Sequence, residues 1–286
     1  MKTLALLIDK IDISKELIRF AALLGKDINA KVDVLYLQDP KVYGTHSHMG
    51  ASGATVALYP SQLQNIANEV KEKVAGFIKE IKAEHPGIPS FEYKSEMGVP
   101  SVVIKEKVDS NAYDMVMLQG RDEEGFWTQN SLIMDVVRNA ACPVFIIHPD
   151  ARYQPFKKII YATNYNEEDI ATLKRLIELA NPFDPEILAL HISNDDEFER
   201  KLKNEGLARM LSEKEGYNKV SVNMVANEDG KDAAESLVNE AENTKANLIV
   251  VLKENRNFFE RLFKSSFTAK LIETTQLPIL VFHILK

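Results

Sequence analysis

The residues at the ends of apolar, strand-like runs of the sequence are the ones best placed for ligand chemistry. Asp9 follows the apolar run Leu4–Ile8, Leu37 lies near the end of a second run, and the polar loop Gln119–Ser131 follows a third. In open α/β sheets, ligands bind outside the carboxyl ends of the strands. The spacing therefore predicts a non-covalent binding site formed by these strand ends.

A second kind of chemistry is indicated just before two short helical patterns. Asn130 and Ser131 precede one of them, and Ser265 and Ser266 precede the other. Side chains of Ser and Asn at a helix start accept hydrogen bonds from free backbone N–H groups. The same N–H groups can hold a phosphate. Plain capping and anion binding are both open at this point.

The chain repeats itself, with the first copy longer than the second by a Gly- and Ser-containing stretch, 41–60, that is typical of a loop. Each copy alternates apolar strands with helical patterns, so we predict four strand–helix units and a closing strand, twice over. The recurring segments are Lys2–Asp9 and Lys157–Asn164, Val32–Leu37 and Ile187–Ile192, Asp114–Leu118 and Asn247–Val251, and Cys142–His148 and Leu277–His283.

Continuous runs of Val, Ile and Leu separated by helices are typical of parallel sheets covered on both faces. The predicted fold class is therefore α/β, with two consecutive Rossmann-like parallel-sheet domains, residues 1–150 and 151–286. The boundary falls in a polar stretch with two prolines. The predicted helices span 13–25, 62–83, 99–111 and 132–139 in the first copy, and 168–180, 195–215, 231–244 and 267–275 in the second.

Composition excludes several classes of protein. The chain has 286 residues, 45% hydrophobic and 27% charged, which suits a globular protein of about two domains. A net charge of −7 disfavours nucleic acid as a partner. No apolar run is long enough to span a membrane, and the single cysteine, Cys142, suits a reducing compartment. We expect a cytoplasmic protein with no membrane or nucleic-acid partner.

Enzyme and metal motifs are missing from the sequence. It contains no phosphate-binding P-loop, nucleophile elbow, H-E-x-x-H or C-x-x-C motif. Ser131 and Ser266 have no evident paired base, so we predict no catalytic residues. His46 and His48 have a spacing that can share a metal, but nothing nearby completes a ligand set, and we predict no metal site.

The doubled pattern resembles the universal stress protein family in its tandem form, over nearly the whole chain. The resemblance implies an adenine nucleotide alpha hydrolase-like fold in each domain. It also implies that the two last strands pair around a pseudo-two-fold axis, making the chain an intramolecular pseudo-dimer; a further homodimer is open. The residues that carry it are the strand ending at Asp9, the turn Gly98–Pro100, Asp114–Leu118, Ser131 before Pro143, and Phe258–Ser266.

Nucleotide-binding members of that family bind ATP with the pattern G-x2-G-x9-G-[S/T], whose glycines let the backbone approach phosphates. In the second copy all three glycines are absent, and the pattern positions hold Leu252, Asn255, Ser265 and Ser266. In the first copy, counting back from Pro143 gives Met117, Gly120, Asn130 and Ser131. Counting forward from Asp114 instead puts Gln119 and Asp122 at the first two glycines.

The resemblance implies one candidate nucleotide site in domain 1, for ATP or another adenine nucleotide. Asp9 would contact the adenine, the Leu37 backbone would frame it, and Gly120, Asn130 and Ser131 would face the phosphates. Three carboxylates at 122–124 would repel a triphosphate there. The degenerate second site comprises Asn164, which keeps a hydrogen-bonding side chain without the charge, and Ile192, Asn255, Ser265 and Ser266.

These observations predict a non-enzymatic binding or regulatory module of the stress response, with at most one nucleotide per chain. The alternative is an interaction scaffold that binds no nucleotide in either domain, which the missing glycines favour. Slow ATP hydrolysis is a third hypothesis, and it needs a base and a metal that the sequence does not identify. Neither the natural ligand nor a protein partner is identified by the residues.

Overall fold

The computed structural model describes residues 2–9, 15–38, 60–120, 132–193, 205–209, 219–226, 233–253 and 275–284. Contacts divide the chain into two compact units. The first is Met1–Gln119 with Trp127–Val144, and the second is Gly120–Phe126 with Phe145–Lys286. The predicted domain boundary at residues 150 and 151 stays a prediction.

The described residues of the first unit include four parallel strands in the order β3-β2-β1-β4. β1 is a run of apolar residues, and its central residues Leu4, Ala5 and Leu6 are fully buried. Continuous burial of this kind explains the unbroken apolar sequence, because both faces of the strand are covered. The elements are β1 (Lys2–Ile8), α1 (Lys15–Asp27), β2 (Ala30–Gln38), α2 (Pro60–Glu84), β3 (Phe91–Met97), α3 (Pro100–Asp109), β4 (Met115–Gln119) and α4 (Leu132–Asn139).

The second unit contains parallel strands in the order β10-β9-β6-β7-β8. A short strand, β5 (Val144–Ile147), falls at the division between the units. Residues 205–209 are helical. The predicted alternation of strands and helices is therefore confirmed for the described residues. The other elements are β6 (Lys158–Ala162), α5 (Glu167–Ala180), a 3-10 turn (Asn181–Phe183), β7 (Glu186–Ser193), β8 (Val220–Ala226), α6 (Ala233–Thr244), β9 (Leu248–Lys253) and β10 (Ile279–His283).

The internal repeat extends to individual backbone hydrogen bonds. Residues that occupy the same place in the two copies donate to acceptors that also match. The two copies therefore repeat not only in sequence but also in their local hydrogen bonds. The matching bonds are Val116 N–H to Pro143 O (3.0 Å) and Ile249 N–H to Pro278 O (3.1 Å), and Asp114 N–H to Thr3 O (3.0 Å) and Asn247 N–H to Lys158 O (2.9 Å).

The end of α1 and the start of α2 differ from the bounds predicted from the sequence. Gly25 was expected to end the first helix, but α1 continues to Asp27. A β-carbon at Gly25 would lie 2.8 Å from Val32 Cγ2, so the glycine allows close packing of α1 on β2. α2 begins at Pro60 because proline lacks only an N–H that the first helical position leaves unbonded. Of the predicted helix 267–275, nearly all lies outside the described residues.

The strand β3 is joined to β2 by a half-buried ion pair that the sequence did not indicate. Asp33 is 2% exposed, and its carboxylate lies 2.6 Å from Lys94 Nζ and 3.0 Å from Lys31 Nζ. The hydrogen bond to Asp33 raises the pKa of Lys94, and Lys94 also lies over the ring of Tyr113. Burial raises the pKa of the Tyr113 phenol. A buried carboxylate is tolerated here because two ammonium groups compensate its charge.

The polar stretch that leads into β6 packs into the second unit. Phe156 is buried, and its ring stacks on Phe145 with centroids 6.3 Å apart. The Phe183 ring meets it edge-on at 5.1 Å. Asn247 is hydrogen-bonded to the same stretch. Its side chain donates to Pro155 O (2.7 Å) and accepts from the N–H groups of 157 and 158.

Candidate functional site

The first unit brings Asp9 and Leu37 to one edge of its sheet. β1 and β2 run in parallel with Ile8 paired to Tyr36, so Asp9 and Leu37 follow at the same level. Asp9 is half-buried, whereas Leu37 is buried. β1 has β2 on one side and β4 on the other, so this edge includes the point where the strand order reverses. Such a switch point is where α/β sheets form a ligand crevice.

Gly120 follows β4 directly and counts with the second unit. It is buried, and its N–H donates to Ile147 O at 2.7 Å. An amide that is already bonded in this way does not serve as a phosphate donor. Any contribution of Gly120 to a phosphate site therefore comes from its missing side chain. The two residues predicted with it, Asn130 and Ser131, lie outside the described residues.

Strand register helps to choose between the two ways of counting the glycine pattern. Leu6 pairs with Met117 in the first unit, and Tyr161, which repeats Leu6, pairs with Val250 in the second. Met117 is therefore the equivalent of Val250. This equivalence favours the forward count, in which Gly120 falls at the strand end rather than at the second glycine of the pattern.

The second unit repeats the same placement with Asn164 and Ile192. Ala162 of β6 pairs with Leu190 of β7, so Asn164 and Ile192 lie at one level, as Asp9 and Leu37 do. Both are half-buried. Three further residues of the predicted second site lie outside the described residues, namely Asn255, Ser265 and Ser266.

A buried carboxylate, Asp169, organises the turn that follows β6. Asp169 is 1% exposed and lies in the first turn of α5. It accepts hydrogen bonds from Tyr161 Oη (2.5 Å) and Thr163 Oγ1 (2.7 Å). The backbone N–H groups of Asn166 (3.0 Å) and Asn164 (3.3 Å) also donate to it. These four donors compensate the loss of hydration of the buried charge and fix the turn 163–166.

Tyr165 lies at the tip of this turn in a left-handed backbone conformation. Its φ is 58°, a region that costs a residue other than glycine about 1 kcal/mol or more. The Tyr165 N–H donates to Thr163 Oγ1 at 3.0 Å. The Tyr165 ring packs against His191 of β7, with centroids 4.6 Å apart and planes tilted by 55°. His191 Nδ1 lies 2.6 Å from Thr163 O, and since a carbonyl only accepts, Nδ1 carries a proton.

Sequence reasoning missed Asp169, Tyr161, Thr163 and His191. A signal was present, because Asn166 and Asp169 have the spacing of a capping box, in which the third helical residue bonds back to the cap N–H. The cluster distinguishes the two copies, since the positions of Tyr161 and Thr163 are apolar in β1.

The histidines at the ends of β5 and β10 take part in structural hydrogen bonds, and the two histidines weighed as metal ligands lie outside the described residues. His148 Nδ1 accepts from the Asp150 N–H at 3.1 Å, and His283 O accepts from Arg175 at 2.8 Å. Both histidines are buried. His46 and His48 lie outside the described residues, and among the residues that are described no group of His, Cys, Asp and Glu could hold a metal ion.

Comparisons with known proteins agree with the fold. The model of the universal stress protein family matches residues 1–148 and 155–283. A universal stress protein from Archaeoglobus fulgidus DSM 4304 is 15% identical, with a TM-score of 0.68, over 98% of this chain and 96% of that one. A putative universal stress protein from Pseudomonas aeruginosa UCBPP-PA14 is 12% identical, with a TM-score of 0.59, over 100% and 94%.

The same fold also occurs in the cytoplasmic domain of a prokaryotic cation chloride cotransporter. That structure is 13% identical, with a TM-score of 0.54, and the match covers 98% of this chain and 94% of that one. At such identities the likeness concerns the fold alone. Comparison with curated proteins gave no match. Among the helices that the structure describes, none combines the length and the apolar content needed to cross a bilayer.

Proposed function

Because the chain belongs to the universal stress protein family, with one match in each half, we propose that it is a non-enzymatic binding and regulatory module of the stress response. It takes one adenine nucleotide in domain 1, residues 1–150. Domain 2, residues 151–286, does not bind nucleotide. We place the protein in the cytoplasm, as an intramolecular pseudo-dimer.

The observation that carries the proposal is the position of Asp9 beside Leu37. The two residues lie at one level at the carboxyl edge of the sheet, next to the strand switch point. A carboxylate accepts hydrogen bonds only, which suits the exocyclic amino group of adenine. Backbone groups at the end of β2 can read the neighbouring ring edge. Asn130 and Ser131 are proposed to face the phosphates, and Gly120 is proposed to contribute only through its missing side chain, because its N–H is bonded to Ile147 O.

The difference between the copies supports a single site. Asn164 replaces Asp9 at the same register position, and an amide side chain carries no charge and donates as well as accepts. The Asn164 N–H is already directed at Asp169. The turn that carries Asn164 is thus organised around the protein's own carboxylate, which leaves it less free to adapt to a ligand.

Equilibrium titration of the full chain with ATP, ADP and AMP tests the assignment. Asp9→Asn removes the charge and replaces one acceptor oxygen with a donor amide, and it is expected to weaken binding at least about tenfold, as loss of a charged hydrogen bond does. Asn164→Asp, which alters the matching position of domain 2, is the matched control and is expected to leave the affinity of the first site unchanged. No binding at millimolar nucleotide, or equal losses in both variants, would reject the site.

An interaction scaffold without nucleotide in either domain is the second candidate. It is favoured by the Gly120 N–H, which is bonded to Ile147 O and not available to a phosphate. Native mass spectrometry of the purified protein distinguishes the two, because it reports any co-purified nucleotide together with the oligomeric state. Slow ATP hydrolysis would be indicated by phosphate release above background that Ser131→Ala abolishes.

A further inference from the structure

The last residue of β2, Gln38, follows Leu37 directly and is 6% exposed. We propose that Gln38 is the positioning residue of the domain 1 site, because its side chain and its backbone hold two neighbouring elements against the end of β2. The inference rests on the proposed function, from which it takes the base position beside Asp9 and Leu37. It goes further by assigning the alignment of the Leu37 backbone to a buried glutamine.

The side chain of Gln38 holds the first turn of α2. Gln38 Nε2 donates to Leu63 O at 2.7 Å. A carbonyl oxygen only accepts, so the amide has its nitrogen toward α2. Over residues 60–66, all of them described, Leu63 and Ile66 are half-buried and the others are exposed. The hydrogen bond therefore connects to the sheet a turn that side-chain packing holds only in part.

The backbone of Gln38 holds a second element, the turn between β3 and α3. Gln38 pairs with Met97 in the parallel ladder, and the Gly98 N–H donates to Gln38 O at 3.2 Å. A β-carbon at Gly98 would lie 2.8 Å from Val103 Cγ2, so this turn is closely packed on the start of α3. One buried residue thus connects α2, the end of β2 and the β3–α3 turn.

These contacts act on the proposed site through the neighbouring residue. Leu37 lies at the level of Asp9 and one residue before Gln38. Because Gln38 is held from two sides, the Leu37 backbone is restricted in its movement relative to β1. A site that is arranged in advance avoids the free-energy cost of ordering the strand end when the ligand binds.

Domain 2 has a different residue at this place. The register that aligns Ile192 with Asn164 puts Ser193 where domain 1 has Gln38. A serine side chain is shorter than that of glutamine and has no amide group. The difference agrees with a single nucleotide site in domain 1.

The test measures the affinity of the full chain for ATP by equilibrium titration. Gln38→Leu removes the donor at a similar volume and is expected to weaken binding about three- to tenfold, as loss of a hydrogen bond does. Tyr93→Phe is the matched control, because the Tyr93 hydroxyl donates to Ala67 O at 2.8 Å, one turn later in α2. We expect this control to stay within about twofold of the wild type. Circular dichroism of each variant checks that the fold is retained.

A pH profile separates positioning from a general loss of stability. In Gln38→Glu the protonated carboxyl group can donate to Leu63 O, whereas the carboxylate can only accept. Burial raises the pKa of a carboxyl group. The affinity of this variant, divided by that of the wild type at the same pH, is therefore expected to fall at least about fivefold between about pH 5 and about pH 9. The same ratio for Gln38→Leu should stay constant.

An affinity of Gln38→Leu within about twofold of the wild type would overturn the inference, and so would a Gln38→Glu ratio that does not change with pH. If Gln38→Leu does not fold, the pH profile of Gln38→Glu decides alone. A wild type that binds no ATP would overturn the proposed function and the role of Gln38 with it. ATP binding by the wild type that neither Gln38 variant weakens would overturn the role of Gln38 only.

Discussion

Substitution of Asp169 by alanine should destabilise the second unit strongly, because it removes the carboxylate that accepts four hydrogen bonds from β6 and the turn after it. The Tyr161 and Thr163 hydroxyls that donate to Asp169 belong to residues only 0% and 3% exposed. A buried donor left without a partner costs about 1–3 kcal/mol. Loss of the bond from the Asn166 N–H at the helix start adds about 1 kcal/mol. The two hydroxyl donors and this bond together give an expected loss of about 3–7 kcal/mol.

The assay is urea unfolding of the full chain followed by circular dichroism, with amide hydrogen exchange over residues 163–180 to locate the effect. With a slope of about 2 kcal/mol/M, a loss of 3 kcal/mol moves the midpoint by about 1.5 M. Glu168→Ala is the control, since Glu168 is exposed on the same helical turn. A free energy of unfolding for Asp169→Ala that lies within about 1 kcal/mol of the value for Glu168→Ala would refute the reasoning. In Tyr161→Phe, which removes one donor, Asp169→Ala should cost less than in the wild type.

Three further substitutions test the packing of the two units. Gly25→Ala places a β-carbon 2.8 Å from Val32 Cγ2 and should lower the free energy of unfolding by about 1–3 kcal/mol. The control is Gly76→Ala, where the added β-carbon has nothing within 4 Å and should raise the free energy of unfolding by about 0.5–1 kcal/mol. Equal effects of the two substitutions in thermal unfolding would contradict the packing role of Gly25. Lys94→Met should destabilise the protein by about 1–3 kcal/mol, because Asp33 then keeps only one ammonium partner. The pKa of Lys94 is raised in the folded state, so the stability that Lys94 contributes is full below the ordinary lysine pKa and is lost as pH rises through the folded-state pKa. The free energies of unfolding of wild type and variant, measured in urea, should therefore converge at strongly alkaline pH. Asn247→Ala should lower the free energy of unfolding by about 1–2 kcal/mol. Asn247→Asp should lower it less, because aspartate still accepts from the N–H groups of 157 and 158 although it cannot donate to Pro155 O. An equal loss of stability in both variants would show that the acceptor is unimportant.

The strand–helix alternation and the repeat were predictable because unbroken runs of Val, Ile and Leu favour strands that are covered on both faces. The end of α1 was predicted wrongly at Gly25, since sequence spacing does not tell a helix stop from a place of close approach. The pairing of Asp33 with Lys94 was not predictable, because it joins residues of neighbouring strands far apart in the chain.

Within the candidate site, sequence reasoning placed Asp9 and Leu37 at strand ends, and register aligns them as it aligns Asn164 and Ile192. The turn around Asp169 was missed because its stability depends on donors from β6 that meet the carboxylate only after folding. The loop residues of the glycine pattern lie outside the described residues and stay predictions, as does the pseudo-two-fold pairing of the domains.

Native mass spectrometry of the full chain with added ATP tests the central claim most directly, because it counts nucleotides bound to each polypeptide. We predict one nucleotide per chain, and at a nucleotide concentration near the wild-type Kd we expect the bound fraction to fall from about one half to about one tenth or less in the Asp9→Asn variant. Two nucleotides per chain, or a single one that Asp9→Asn leaves in place, would contradict the account.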